Sequence, residues 1–256
     1  MLRTDLLARR ITRRQALLAM ASGAAVLMLG GCAQSGVQRP AEQATPPAAD
    51  AISDGSSESA APASSAVSDK PLIIYFSLPE ATSAEEMTPE GENSTVTIDG
   101  EVLGNVQYLA QLVAGRTGGK LARVETVEPY DVSDHEALIA YAQRELNSGS
   151  RPELQASGIP TPEDIASASA VFLGYPIWWA DLPTPYYTLL ESIDLAGKTV
   201  IPFVCHGGSG FAGTRETIAE LQPDADVRAG DGYSVSRNAV ADSAPEVERW
   251  LEGLGY

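Results

Sequence analysis

The sequence predicts an α/β fold, a doubly wound five-stranded parallel sheet with helices on both faces. Three observations carry that expectation. Short apolar runs that do not alternate, Lys70–Ser77, Ala168–Gly174 and Gly197–Cys205, read as strands buried on both faces. Segments with apolar residues at helical spacing separate these runs, the pattern of β-α crossovers in a parallel sheet. Loops of unusual composition follow the strand ends, chief among them the stretch 171–183, where Trp178 and Trp179 stand between Pro176 and Pro183.

Two segments precede the domain. Residues 1–32 read as a signal peptide: five arginines and one aspartate lead into the small, apolar run Ala16–Leu29. The run is too short and too rich in Ala and Gly for a membrane span. It ends in Leu29-Gly-Gly-Cys32, which resembles the lipobox of bacterial lipoproteins, so Cys32 is the expected lipidation site. Thr12-Arg13-Arg14 resembles a twin-arginine export signal, with ordinary Sec export as the alternative. Residues 33–69 are rich in Ala, Ser, Pro, Gln and acidic residues and lack apolar periodicity, so they read as a disordered tether. The expected location is the extracytoplasmic face of the cell membrane, held through the lipid anchor only.

Residues 70–256 read as the single folded domain. Lys70–Ser77 is the first strand. A polar segment, Leu78–Gly100, follows, with Thr95–Ile98 as a small hairpin strand within it. Glu101–Ala114 reads as a helix, because Val102, Val106, Leu109 and Val113 fall at helical spacing. Lys120–Val127 partly alternates, which suggests an edge strand. Ser133–Leu146 reads as a helix capped by Ser133, with Glu136 three residues on. The third strand is Ala168–Gly174, the next helix Thr184–Glu191 with Pro185 in its first turn, and the fourth strand Gly197–Cys205. Thr214–Leu221 is a helix, Asp226–Arg228 and Gly232–Val235 are pieces of the fifth strand, and Ala244–Leu251 closes the chain.

Charge and composition exclude several functions. The chain carries −17 overall; the first 32 residues hold +4, which leaves −21 for the remainder. So acidic a body argues against nucleic acid and against docking on anionic lipid. With Cys32 lipidated, Cys205 stands alone and no disulfide framework is possible. His135 and His206 are the only histidines, too few for a zinc site of the usual kind. The run Gly207-Gly-Ser-Gly210 lacks the last glycine of a hydrolase elbow, since Phe211 follows. Cys205 and His206 are strand neighbours that point to opposite faces, so Cys205 reads as a small core residue and His135 as a surface helix residue.

The strand tips are where an open α/β sheet binds ligands. Trp178 and Trp179 there suit a planar ring; the competing reading is that they cap the core beneath the loop. The glycines of His206–Gly210 permit a close backbone approach to a ligand. Ile74-Tyr-Phe-Ser77, Leu103-Gly-Asn105, Leu173-Gly-Tyr-Pro-Ile-Trp-Trp179 and Val204-Cys-His-Gly-Gly-Ser-Gly210 together resemble the flavodoxin-like family, specifically its exported lipoprotein branch, over about Pro71–Gly255.

The resemblance implies the strand order 2-1-3-4-5 and FMN bound across the strand tips. It implies phosphate contacts at Ser77, Gly104, Asn105 and Val106. The ring would lie against Tyr175, Pro176, Ile177, Trp178 and Trp179 on one side, and against His206, Gly207, Gly208, Ser209 and Gly210 on the other. Leu103 and Val106 stand where flavodoxins carry threonines, with Thr82 or Ser83 as substitutes; Asn105 alternatively caps the helix. His206 is the candidate catalytic residue, donating a hydrogen bond to the reduced ring. One-electron flavodoxins use a glycine in the loop after the third strand, and here that loop has none. The expected activity is therefore two-electron transfer to a quinone or similar acceptor, from an unidentified donor. The alternatives are a one-electron carrier between membrane-associated redox partner proteins and a flavin-free binding module on the same fold.

Overall fold

The computed structural model describes residues 69–256. The signal segment, Cys32 and nearly all of the 33–69 tether lie outside the described residues. Six parallel strands form one sheet: β1 (Leu72–Tyr75), β4 (Lys120–Arg123), β5 (Val171–Pro176), β6 (Thr199–His206), β7 (Asp226–Val227) and β8 (Tyr233–Ser236). The order is β4-β1-β5-β6, with β7 and β8 both on the far side of β6, so the predicted doubly wound order is the one found. The fifth position is split rather than continuous. β7 pairs with Thr199 and Val200, and β8 resumes at Phe203. Pro202 lies opposite the gap; Val200 bonds toward β7, so by alternation Pro202 faces the same margin and has no N–H to give the ladder there.

Side-chain alternation divides the core in two. Leu72 and Ile74 of β1, with Val171, Leu173 and Tyr175 of β5, face the helices α3 (Pro162–Ser167), α4 (Thr184–Ser192) and α5 (Thr214–Leu221), and α2 (His135–Ser148) packs against α4. Ile73 and Tyr75, with Phe172, Ile201 and Phe203, face α1 (Asn105–Thr117) and α6 (Ala244–Gly253). A period of two on strands buried on both sides produces this three-layer arrangement. Gly174 is required by it: any Cβ there would collide with the Phe203 ring.

Two elements depart from expectation. The helix expected from Glu101 begins at Asn105, because Glu101–Gly104 is a strand, β3, paired antiparallel with β2 (Thr95–Ile98). Asp99 and Gly100, both at positive φ, make the tight turn of this hairpin. The cap of α2 is Asp134, not Ser133. The Asp134 carboxylate accepts the Ala137 N–H at 3.0 Å, while the Ser133 hydroxyl donates to Asp131 at 2.6 Å. Among the described residues, no helix is long and apolar enough to cross a membrane.

Candidate functional site

A pocket of about 150 Å³ opens at the C-terminal tips of β1, β5 and β6. Ser77, Leu78 and Glu80 enter it after β1, Asn93 and Ser94 from the polar insertion, and Asn105 and Val106 from the first turn of α1. Pro176, Ile177 and Trp178 line it after β5, Cys205, His206 and Gly207 after β6, and Arg237 after β8; His135 completes the wall from α2.

One end is built for hydrogen bonding. The Asn105 N–H donates to the Ser94 carbonyl at 3.0 Å, and its Nδ2 donates to the Asn93 carbonyl at 3.0 Å. Its Oδ1 is buried with no partner. The N–H groups of Val106 and Gln107 have no acceptor within the helix, as at any helix start. Ser77 is buried and its hydroxyl fills the space that a side chain on Gly104 would need. Ser94 Oγ accepts from the Glu80 N–H at 3.0 Å and donates to the Gly91 carbonyl at 3.2 Å. Glu80 in turn meets His135 Nδ1 at 2.6 Å. This end therefore offers the N–H groups of a helix start, the Ser77 hydroxyl and one acceptor that lacks a donor.

At the other end, His206 Nδ1 accepts the Gly208 N–H at 2.9 Å. Burial lowers its pKa, so the ring stays neutral, with its proton on Nε2, the nitrogen left for a ligand. The Cys205 thiol is pushed up to about 12 by burial, against smaller opposing effects of the Arg237 charge and an Asn105 hydrogen bond. That leaves it un-ionised, as a small core residue. The Arg237 guanidinium would lie 3.5 Å from a Cβ at Gly207, and it makes no ion pair or hydrogen bond among the described residues. It is the uncommitted cation of the pocket.

Several expected site residues stand elsewhere. Tyr175 turns inward on the alternation of β5; it is fully buried, its hydroxyl 2.8 Å from Thr214 Oγ1. The two tryptophans separate. Trp178 lines the pocket and packs edge-on against Phe76 and Tyr130, at 5.4 and 5.6 Å between centroids. Trp179 and Ala180 sit at positive φ in a tight turn closed by hydrogen bonds between Trp178 and Asp181. The turn lays Trp179 on α2, where Nε1 donates to the Ile139 carbonyl at 3.1 Å. Gly208, Ser209 and Gly210 lie outside the pocket wall, and Gly104 stands behind Ser77. The Thr82 hydroxyl, expected as a substitute at the phosphate site, donates to Glu86 at 2.8 Å, and the Ser94 hydroxyl in the pocket wall donates to the Gly91 carbonyl at 3.2 Å. His135, read as a surface residue, faces the pocket instead. Glu80, Asn93, Ser94 and Arg237 were not singled out by the sequence. The strand-tip rule points to Arg237, one residue beyond β8, whereas only the folded hairpin brings in Asn93 and Ser94.

A sequence model of the flavodoxin family matches residues 102–253. The chain belongs to that family. This flavodoxin is similar in architecture to solved structures. A putative flavoprotein from Bacteroides uniformis is 25% identical, the match covering 68% of this chain and 96% of that one, with a TM-score of 0.48. A putative flavoprotein from Bacteroides eggerthii is 21% identical, over 70% and 98% of the two chains, with a TM-score of 0.46. A flavoprotein in complex with FMN from Lactobacillus acidophilus is 17% identical, over 70% and 99%, with a TM-score of 0.46. None of the curated proteins matches the chain.

Proposed function

We propose that this flavodoxin binds FMN in the strand-tip pocket and passes electrons to a quinone or similar acceptor, tethered through Cys32 to the extracytoplasmic face of the membrane. The observation that carries the reading is the first turn of α1, where Asn105 Oδ1 lies buried without a donor beside Val106, whose N–H has no acceptor within the helix. The N–H groups of that turn, with the Ser77 hydroxyl, suit a phosphate, and Asn105 Oδ1 suits a hydroxyl of the ribityl chain. Pro176, Ile177 and Trp178 offer an apolar wall, and His206 Nε2 offers a donor. Arg237 supplies positive charge in an otherwise acidic domain. Bound FMN would supply reversible electron transfer.

Two-electron transfer is favoured by the loop after β5. Pro176 has no N–H, the Ile177 N–H is held by the Cys205 carbonyl at 3.0 Å, and the Trp178 N–H by the Asp181 carbonyl at 3.1 Å. No amide at residues 176–178 is spare to follow a change in the ligand's protonation. The anchor rests on the Leu29-Gly-Gly-Cys32 run and on the composition of residues 33–69.

The test is the visible spectrum of the purified protein, followed by FMN titration of the parent and of Asn105→Leu. The expected result is a flavin spectrum in the parent and about tenfold weaker FMN binding in the variant, the scale of one buried hydrogen bond. A parent that neither carries nor takes up flavin would leave the flavin-free binding module as the reading.

A further inference from the structure

A second cavity, of about 520 Å³, lies apart from the strand-tip pocket, between α2 and the chain segments 128–131 and 150–153. Its volume falls in the range of small-molecule sites. From its lining we infer that it is a binding site for a small organic cation, a quaternary or protonated ammonium group on a compact apolar body. This proposal is independent of the flavin reading.

Two features of the lining act together. The first is a pair of aromatic walls. The rings of Tyr130 and Tyr141 stand 5.8 Å apart at 77°, two faces of an open box. The chain's own Arg144 already places Cζ 5.7 Å from the Tyr141 ring centroid, so this aromatic surface accepts a cation. The second is an uncompensated carboxylate. Glu145 is 6% exposed, and it accepts hydrogen bonds from Tyr130 Oη and Thr184 Oγ1, both at 2.7 Å. No cation lies within ion-pair distance of it among the described residues, and Arg144 does not reach it. Burial raises the Tyr130 pKa, so that phenol remains a donor. A buried carboxylate is ordinarily paired with a positive charge. Glu128, Asp131 and Glu153 add three more acidic groups to the cavity wall, none of them ion-paired. Aromatic faces attract a poorly hydrated cation, and the carboxylates exclude anions.

The test is calorimetric titration of the full chain with choline and with its uncharged isostere, 3,3-dimethyl-1-butanol. We expect choline to bind on the order of 1 mM and at least about tenfold more tightly than the neutral alcohol. Glu145→Gln and Tyr141→Ala should each weaken choline by about fivefold or more. Glu252→Gln, an exposed acid on α6 remote from the cavity, should leave it unchanged. Tyr141 is 48% exposed, so its removal leaves the core intact and decides the matter if Glu145→Gln fails to fold. Equal binding of the two probes, no choline binding at all, or an unaltered Tyr141→Ala would overturn the proposal.

Discussion

Trp178 presents its indole to the strand-tip pocket while Trp179, its neighbour, is hydrogen-bonded to α2. The two variants should therefore behave differently. Trp178→Ala is expected to weaken FMN by about 1–3 kcal/mol, the scale of an aromatic stack. It should also cost the fold about 1–3 kcal/mol through its lost contacts with Phe76 and Tyr130. Trp179→Ala should change FMN affinity by less than about 0.5 kcal/mol. Fluorescence titration and urea unfolding of both variants check this, and equal FMN losses would contradict the geometry. At His206, burial lowers the pKa, so the unfolded state takes up a proton more readily than the folded state. The contribution is neutral above the unfolded value and turns against the fold as pH falls through that value and then the folded one. His206→Gln should lose less stability than the parent between about pH 7.5 and 5. Urea midpoints at both pH values measure it, and parallel losses would count against the shift. The pair Trp178-Trp179 shows what was legible at this scale. Its place at a strand tip followed from composition, but which indole faces the ligand depends on a turn with two non-glycine residues at positive φ, which sequence pattern does not announce.

Among the elements, α2 gives the sharpest test. Asp134→Ala should destabilise the protein by about 1 kcal/mol, the worth of an N-cap, while Ser133→Ala should cost only a few tenths. Thermal unfolding of the two variants separates them, and the reverse order would restore the cap read from sequence. The capping-box pattern was present at Ser133, but Asp131 takes its hydroxyl, and the next residue offers the better acceptor. The β2–β3 hairpin was half legible for a related reason. Thr95–Ile98 is β-branched throughout and reads as a strand. Val102 and Val106 fit a helical period equally well, and only the Asp99-Gly100 turn pairs Glu101–Gly104 back onto β2. Pairing between segments is not a local property, so the return strand, and with it the placing of Asn93 and Ser94 at the site, stayed hidden.

At the scale of the molecule, a parallel sheet was legible because its central strands are buried on both faces and carry unbroken apolar runs, while the order of its strands came from the family resemblance. The anchor is a separate claim with its own test. Cys32→Ala should release the protein to the soluble extracytoplasmic fraction or leave its precursor uncleaved, as cell fractionation and immunoblotting would reveal. Membrane partition like that of the parent would refute it. The interruption at Pro202 has a further consequence wherever copies of the chain are crowded together. An open parallel sheet has two free margins, each a template on which another chain can extend the ladder. Here one margin is broken into strands of two and four residues by the 229–231 turn. The other is the four-residue β4, which carries Lys120 and Arg123. Neither presents a long, flat row of unpaired amides, so the fold guards against self-association and aggregation at its edges.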